Sequence, residues 1–183
     1  MQHVTTTPDP VNAWMDSWRG ELPEVEHASS ELTKRIMFVG GVLDGVMRRE
    51  LTGLELTPAE FDVLVALRRA GAPYRMKPNR LARSLMLSTG GTTNVTHRLV
   101  ARRLVEREND PDDARSTWLR LTADGIALAE HAVLVNAAAH DALFDGVPAE
   151  VVEAATTALR ELFAATPSLL GGAPAAHAAR SQA

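Results

Sequence analysis

Apolar residues recur at helical spacing along most of the chain. Leu32, Ile36, Val39, Leu43 and Met47 step by four, three, four and four, which predicts a helix ending near Arg48, Arg49 and Glu50. Thr57-Pro58-Ala59-Glu60 is a capping box with proline at the first helical position. The helix it opens should turn Phe61, Leu64 and Val65 inward and stop at Ala70-Gly71-Ala72-Pro73. A short helix from near Pro78 buries Leu81 and Leu85. Ser88 then caps another, running to about Arg102 or Arg103 with Thr92, Val95 and Leu99 inward. The mode changes next: Leu104–Arg107 and Thr117–Leu121 are strand-like and flank the turn formers from Asn109 to Ala114, which predicts a two-stranded hairpin. Thr122 caps a long helix through about Phe144, with Ile126, Ala129, Val133, Ala137 and His140 along one side. After the break at Asp145-Gly146-Val147-Pro148, a last helix to about Ala165 carries Val152, Ala155, Leu159 and Leu162 in register. Residues 1–11 read as a flexible polar tail, followed by a short amphipathic piece with Trp14 and Trp18 on one face. Residues 166–183 are rich in Ala, Gly, Pro and Ser and are expected to be disordered.

Helix, short helix, helix, hairpin is the order of a winged helix-turn-helix, so the predicted class is mainly α with a two-stranded wing. The expected layout is an N-terminal extension (1–28), a winged lobe (53–121), and a helical region assembled from 29–52 and 122–165. The apolar stripes of that helical region are too long for one small winged core.

Charge sharpens this reading. The 183 residues carry a formal charge of -4, yet residues 75–120 hold ten Lys/Arg and five Asp/Glu, net +5. A local basic face is a legitimate footprint for nucleic acid even in an acidic chain. Composition excludes other classes. There is no cysteine, hence no disulfide, thiolate metal site or thiol switch. His131 and His140 are nine residues apart and fall on opposite sides of a helix, so no metal is expected. No Walker, nucleophile-elbow, HExxH or dinucleotide glycine pattern occurs, and the chain is not expected to be an enzyme or to need a cofactor. No apolar run approaches the roughly 18 residues of a membrane span, and no export signal is visible, so a cytoplasmic location is expected.

A helix entering the major groove needs small or polar groups outward at its start. The helix opened by Ser88 offers Thr89, Gly90, Thr93, Asn94, His97 and Arg98 away from its apolar stripe. Asn94 can pair with adenine, Arg98 can serve guanine or phosphate, and Arg115 at the hairpin tip suits a narrow minor groove. The alternative is a winged-helix protein-interaction module without DNA binding.

The segment from Ser88 to Asn94 with Arg98-Leu99 following resembles the recognition helix of the MarR family of bacterial transcription regulators. Asp110-Pro111-Asp112-Asp113-Ala114-Arg115-Ser116, running into Leu121-Thr122 and Gly125, resembles the family's wing. The resemblance implies a homodimer through the terminal helices, a pseudo-palindromic double-stranded DNA site, and Asp113 steadying the wing-tip Arg115. It also implies a repressor relieved by a small aromatic or lipophilic anion. The family commonly has glycine where this chain has Arg103. Either the helix ends differently here, or Arg103 takes a left-handed turn under strain. The N-terminal extension is similar to that of the urate-responsive branch. Trp18, Asp62 and Arg107 match three positions of that branch's ligand site, while Val95 stands where a second arginine would. A more lipophilic anion than urate is therefore expected. A regulator without any ligand, its cavity filled by its own side chains, is the third reading.

Overall fold

A computed structural model describes residues 9–25, 27–85, 89–111 and 113–166. The helices are α1 (Pro10–Glu21), α2 (Ala28–Gly53), α3 (Pro58–Arg69), α4 (Pro78–Leu85), α5 (Thr89–Ala101), α6 (Ala123–Leu143) and α7 (Ala149–Ala165), with a 3-10 turn at Pro23–Val25. The strands are β1 (Arg75–Met76), β2 (Val105–Asp110) and β3 (Asp113–Leu121), in the antiparallel order β1-β3-β2. The fold is mainly helical, as expected. Two compact units are present, residues 1–46 and 47–183.

In the first unit, α1 starts earlier than the flexible-tail reading of residues 1–11 allowed. Asp9 caps it by accepting the Val11 N–H at 2.8 Å, and Pro10 fits the first helical position. Arg35 on α2 holds that cap: it lies 3.0 Å from Asp9, 3.1 Å from Glu31 and 2.6 Å from the Asn12 side-chain oxygen. The Val11 N–H is the chief reason the Asp9 carboxyl sits below its usual pKa; burial opposes it, and Arg35 adds to the lowering.

The second unit is built around Leu51, Leu64, Leu67, Leu81, Leu99 and Leu119, all fully buried. Helix α3 forms as its capping box requires. The Thr57 hydroxyl accepts the Glu60 N–H, and the Glu60 carboxylate accepts the Thr57 N–H. Helix α2 does not stop near Glu50 but runs to Gly53, because Leu51 belongs to this core.

The wing departs from expectation in two ways. A third strand, β1, joins the sheet by pairing Arg75 with Arg120 and Met76 with Leu119. Its two residues are too few to leave a periodic signal. The hairpin strands are also longer than predicted: β2 runs on through Asn109 and Asp110, β3 starts at Asp113, and the register is irregular at Asn109/Asp110. Turn propensity at these positions yields to cross-strand pairing.

The end of α5 resolves the question about Arg103. Its φ is 58°, so arginine takes the left-handed turn. The Arg103 N–H reaches the Val100 carbonyl at 2.9 Å and the Leu104 N–H reaches that of Leu99 at 3.0 Å. These two bonds form a Schellman turn, and the buried Leu99 and Leu104 supply its apolar contact. The Leu104 carbonyl then accepts the Thr122 N–H at 3.1 Å, while the Thr122 hydroxyl donates to the Arg103 carbonyl at 2.8 Å. Helix α6 starts on this spot: a Cβ on Gly125 would lie 1.9 Å from the Leu104 oxygen.

Beyond that turn α6 buries Ala129 and Ala132, small residues that allow close approach, and Arg68 on α3 meets Glu130 at 2.6 Å. The predicted stripe is covered only at its start, where Ala129 is buried and Ile126 packs on the core; Val133 is 39% exposed and Ala137 is exposed. No residue of α7 is buried. The stripe expected on α2 is likewise uncovered, with Leu32, Ile36 and Val39 more than 40% exposed.

The two backbone constraints give opposite expectations in urea denaturation. Gly125→Ala should cost about 3 kcal/mol through overpacking against the Leu104 carbonyl. Arg103→Gly should add roughly 0.5–1 kcal/mol by relieving the left-handed strain, net of glycine's entropy cost.

Candidate nucleic-acid interface

Helix α5 divides cleanly. Thr92, Val95, Thr96 and Leu99 are buried, and Thr96 donates its hydroxyl to the Thr93 carbonyl at 2.9 Å. Thr93, Asn94, His97 and Arg98 are exposed. The outward face read from the sequence is thus the outward face of the folded helix. Ser88 lies outside the described residues. Thr89 and Gly90 occupy the first turn of α5 and Arg115 lies on β3, but the placement of their side chains is outside the description too.

Arg98 differs from its neighbours. Its Nε is 3.3 Å from Glu60 Oε1 on α3. Arg102 approaches the same carboxylate at 3.8 Å and donates to the Glu55 carbonyl at 2.8 Å. Burial acts most strongly on the Glu60 carboxyl and would raise its pKa. The Thr57 N–H and hydroxyl together with Arg98 outweigh it, so the group is held below its ordinary value.

Sequence reasoning missed how the wing is braced. Arg75 and Lys77 flank β1 two residues apart and so share a face; both lie over the Trp118 ring, at 4.6 and 4.5 Å. Lys77 also binds Asp110 and Ser116, tying the base of the wing to both its strands. Arg75 meets Glu108 at 3.0 Å, and Arg120 meets Glu106 at 2.6 Å. The period-two alternation of Trp118 and Arg120 was visible in the chain, but their partners come from distant segments.

Half of the basic stretch is consequently engaged inside the fold: Arg75, Lys77, Arg98, Arg102 and Arg120 all face acids. Arg80, Arg83, Arg103 and Arg107 are exposed. Arg80 and Arg83, on α4 just before α5, belong to no motif that marks them in the sequence.

A cavity of about 180 Å³ lies against α5, lined by Pro78, Ala82, Thr92, Thr93, Thr96, His97, Arg107 and Leu119. It brings Arg107, expected at a ligand, together with Thr93 and His97, expected at DNA. Asp62, half-buried on α3, does not line it. Trp18 belongs to the other unit, where its ring meets Trp14 edge-on at 6.0 Å.

A three-stranded winged lobe with a polar helix face beside the hairpin defines a helix-turn-helix transcription regulator of the DNA-binding, winged class. The chain belongs to the MarR family, whose sequence pattern matches residues 54–116. It is 31% identical to the multiple antibiotic resistance protein MarR of Escherichia coli over 122 residues, 66% of this chain and 83% of that protein. Over 123 residues, 67% of this chain and 74% of the relative, it is 29% identical to the transcriptional regulator PecS of Dickeya dadantii. A cysteine-to-serine variant of Escherichia coli MarR complexed with operator DNA superposes with a TM-score of 0.60 at 27% identity, covering 79% of this chain and 96% of that one. CouR from Rhodococcus jostii bound to p-coumaroyl-CoA gives 0.60 at 26% identity, covering 75% and 94%. The relatives are transcription regulators, in keeping with the absence of an enzyme signature.

Glu60 makes a testable pH dependence. Because its folded pKa is depressed, the stability it contributes is whole above the ordinary carboxyl value of 4.5 and is lost as pH falls through the folded value. The stability difference between the wild type and Glu60→Gln in urea titrations should therefore stay constant from about pH 7 to 5 and shrink below about 4.5.

Proposed function

We propose that the protein is a homodimeric repressor that binds a pseudo-palindromic operator and leaves it when a small aromatic or lipophilic anion binds. The observation that carries this reading is the exposed face of Thr93, Asn94 and His97 on α5, beside a braced wing, in a chain whose relative forms an operator complex. In this reading α5 enters the major groove, with Ser88, Thr89 and Gly90 at its entry and Asn94 reading a base edge. Arg115 reaches the flanking minor groove. Arg80 and Arg83 hold the phosphate backbone from the adjacent helix.

Dimerisation rests on uncovered apolar surface. Helix α7 buries nothing although Val151, Val152, Leu159 and Phe163 are 37–52% exposed, and Leu134 on α6 is 68% exposed. Such faces mark association surfaces. A two-fold dimer sets two recognition helices about 34 Å apart, one turn of DNA.

The ligand reading rests on the cavity at α5. Arg107 and His97 suit a carboxylate, while Pro78, Ala82 and Leu119 suit a ring. At about 180 Å³ it falls below the ~300 Å³ at which ligand pockets usually begin, so a single-ring acid fits better than a large conjugate. Occupancy engages Thr93 and His97, the same side chains the DNA face uses. Ligand and operator then oppose each other, and by linkage each weakens the other by the same factor.

Fluorescence anisotropy with a duplex selected from a random pool tests the DNA reading. Arg115→Ala should weaken binding to every duplex and reduce the salt slope by about 0.9. Asn94→Ala should lower discrimination between selected and unselected duplexes by roughly 10-fold or more while sparing the salt slope. Equal losses on both duplexes for Asn94→Ala would rule out base reading. For the ligand, a thermal-shift panel of aromatic carboxylates should raise the melting temperature of the wild type and not of Arg107→Ala.

A further inference from the structure

Glu60 is the only charged residue buried among the described residues, at 4% exposure, and the DNA-binding reading above gives its charge no role. Its task in the capping box needs one acceptor. Oε2 supplies it, taking the Thr57 N–H at 2.9 Å and the Thr57 hydroxyl at 2.8 Å. A neutral glutamine performs the same task. The second oxygen and the negative charge are directed elsewhere, at the recognition helix. Oε1 receives Arg98 Nε at 3.3 Å, and Arg102, one turn on, lies 3.8 Å from Oε2 with its other contact on the Glu55 carbonyl. Both arginines stand on the edge of α5 next to the exposed face. Arg98 keeps 47% of its side chain exposed, so it borders the DNA face without being committed to it.

Two consequences follow from this geometry. A buried acid that meets Arg98 and lies near Arg102 adds to the buried Thr92, Val95, Thr96 and Leu99 in restraining the roll of α5 about its own axis, and with it the angle at which Thr93, Asn94 and His97 leave the protein. The same acid neutralises a cation that would otherwise find phosphate. Phosphate contacts add affinity for every sequence alike, whereas base contacts depend on that angle. We propose that Glu60 is a specificity-determining positioning residue: it orients the reading face of α5 and withholds Arg98 from the DNA backbone, lowering non-specific affinity in favour of discrimination. The inference rests on the DNA-binding reading above and pairs Arg98, read from the sequence as a DNA contact, with Glu60 of the protein itself.

The test uses the full chain, a duplex selected by the wild type from a random pool, and an unselected duplex from that pool. Affinities are measured from about 50 to 200 mM salt. Glu60→Gln keeps the cap and releases Arg98. It should bind the unselected duplex at least about three-fold more tightly at low salt, with a slope steeper by about 0.9, one added phosphate contact. The ratio of selected to unselected affinity should fall at least about ten-fold. Adding Arg98→Ala to Glu60→Gln should abolish the steepening. Parallel losses on both duplexes at unchanged slope, with the thermal melt preserved, would reduce Glu60 to a structural support and overturn the proposal. Unchanged binding would overturn it too. Should Glu60→Gln fail to fold, Arg98→Ala alone decides. It leaves the capping box intact and should leave the salt slope unchanged; a slope reduced by about 0.9 would mean Arg98 already holds phosphate, against the proposal. A wild type that binds no duplex at all overturns the parent reading and this one together, and is distinguished from the other outcomes by its lack of any salt-dependent binding.

Discussion

The backbone at Leu104 is where the recognition helix, the wing and the long helix α6 are fastened to one another. Its N–H closes the last turn of α5 on Leu99, and its carbonyl receives the Thr122 N–H that starts α6. Gly125 leaves just enough room for α6 to lie on that carbonyl. The strand β2 departs from the next residue. A shift of this peptide would turn the reading face, tilt the wing and displace α6 at once. That coupling explains why the chain tolerates a left-handed arginine at position 103, a conformation costing about 1–2 kcal/mol relative to the right-handed form. Two backbone hydrogen bonds and the buried Leu99–Leu104 contact outweigh the strain.

Charge is arranged with similar economy. A net of +5 over residues 75–120 suggested a broad basic footprint. In the fold, much of that charge is used to build rather than to bind. Arg75, Lys77 and Arg120 brace the wing against Glu106, Glu108, Asp110 and Trp118, and Arg98 and Arg102 meet Glu60. The exposed pairs among them, such as Arg120 with Glu106, contribute only about 0–1 kcal/mol each to stability, so their value lies in orientation. The wing's angle depends on Lys77 bridging Asp110 and Ser116 under the Trp118 ring. What remains for a polyanion is a smaller set of exposed arginines on α4, at the end of α5 and on β2.

Apolar surface is distributed just as unevenly. The winged lobe closes its own core, while α7 leaves every apolar side chain at least partly in water. Among the described residues nothing buries this amphipathic helix, the uncovered surface on which the proposed dimer rests. The cavity beside α5 shares Thr93 and His97 with the exposed face of that helix, which is what sets ligand against operator in the proposed function.

Local chemistry was legible in the chain. The capping box at Thr57–Glu60, the split of α5 into a buried and an exposed face, the Thr122 cap and the hairpin were all set by propensities and periodicities that act over a few residues. The glycine at position 125 and the anomaly at Arg103 could be flagged there too, though their common cause could not. Long-range pairing was decided by the tertiary fold. A two-residue strand has no period, so β1 exists because Met76 and Leu119 share the core and Arg75 meets Glu108. The covered side of α6 follows close approach by Gly125, Ala129 and Ala132 instead of the largest apolar residues. The partners of Glu60 lie 38 residues away and further, beyond the reach of any sequence pattern. Sequence by itself determined the two faces of α5 and the capped starts of α3 and α6; only the packing of distant segments determined which charges are free to act, because that depends on what each one meets across the fold.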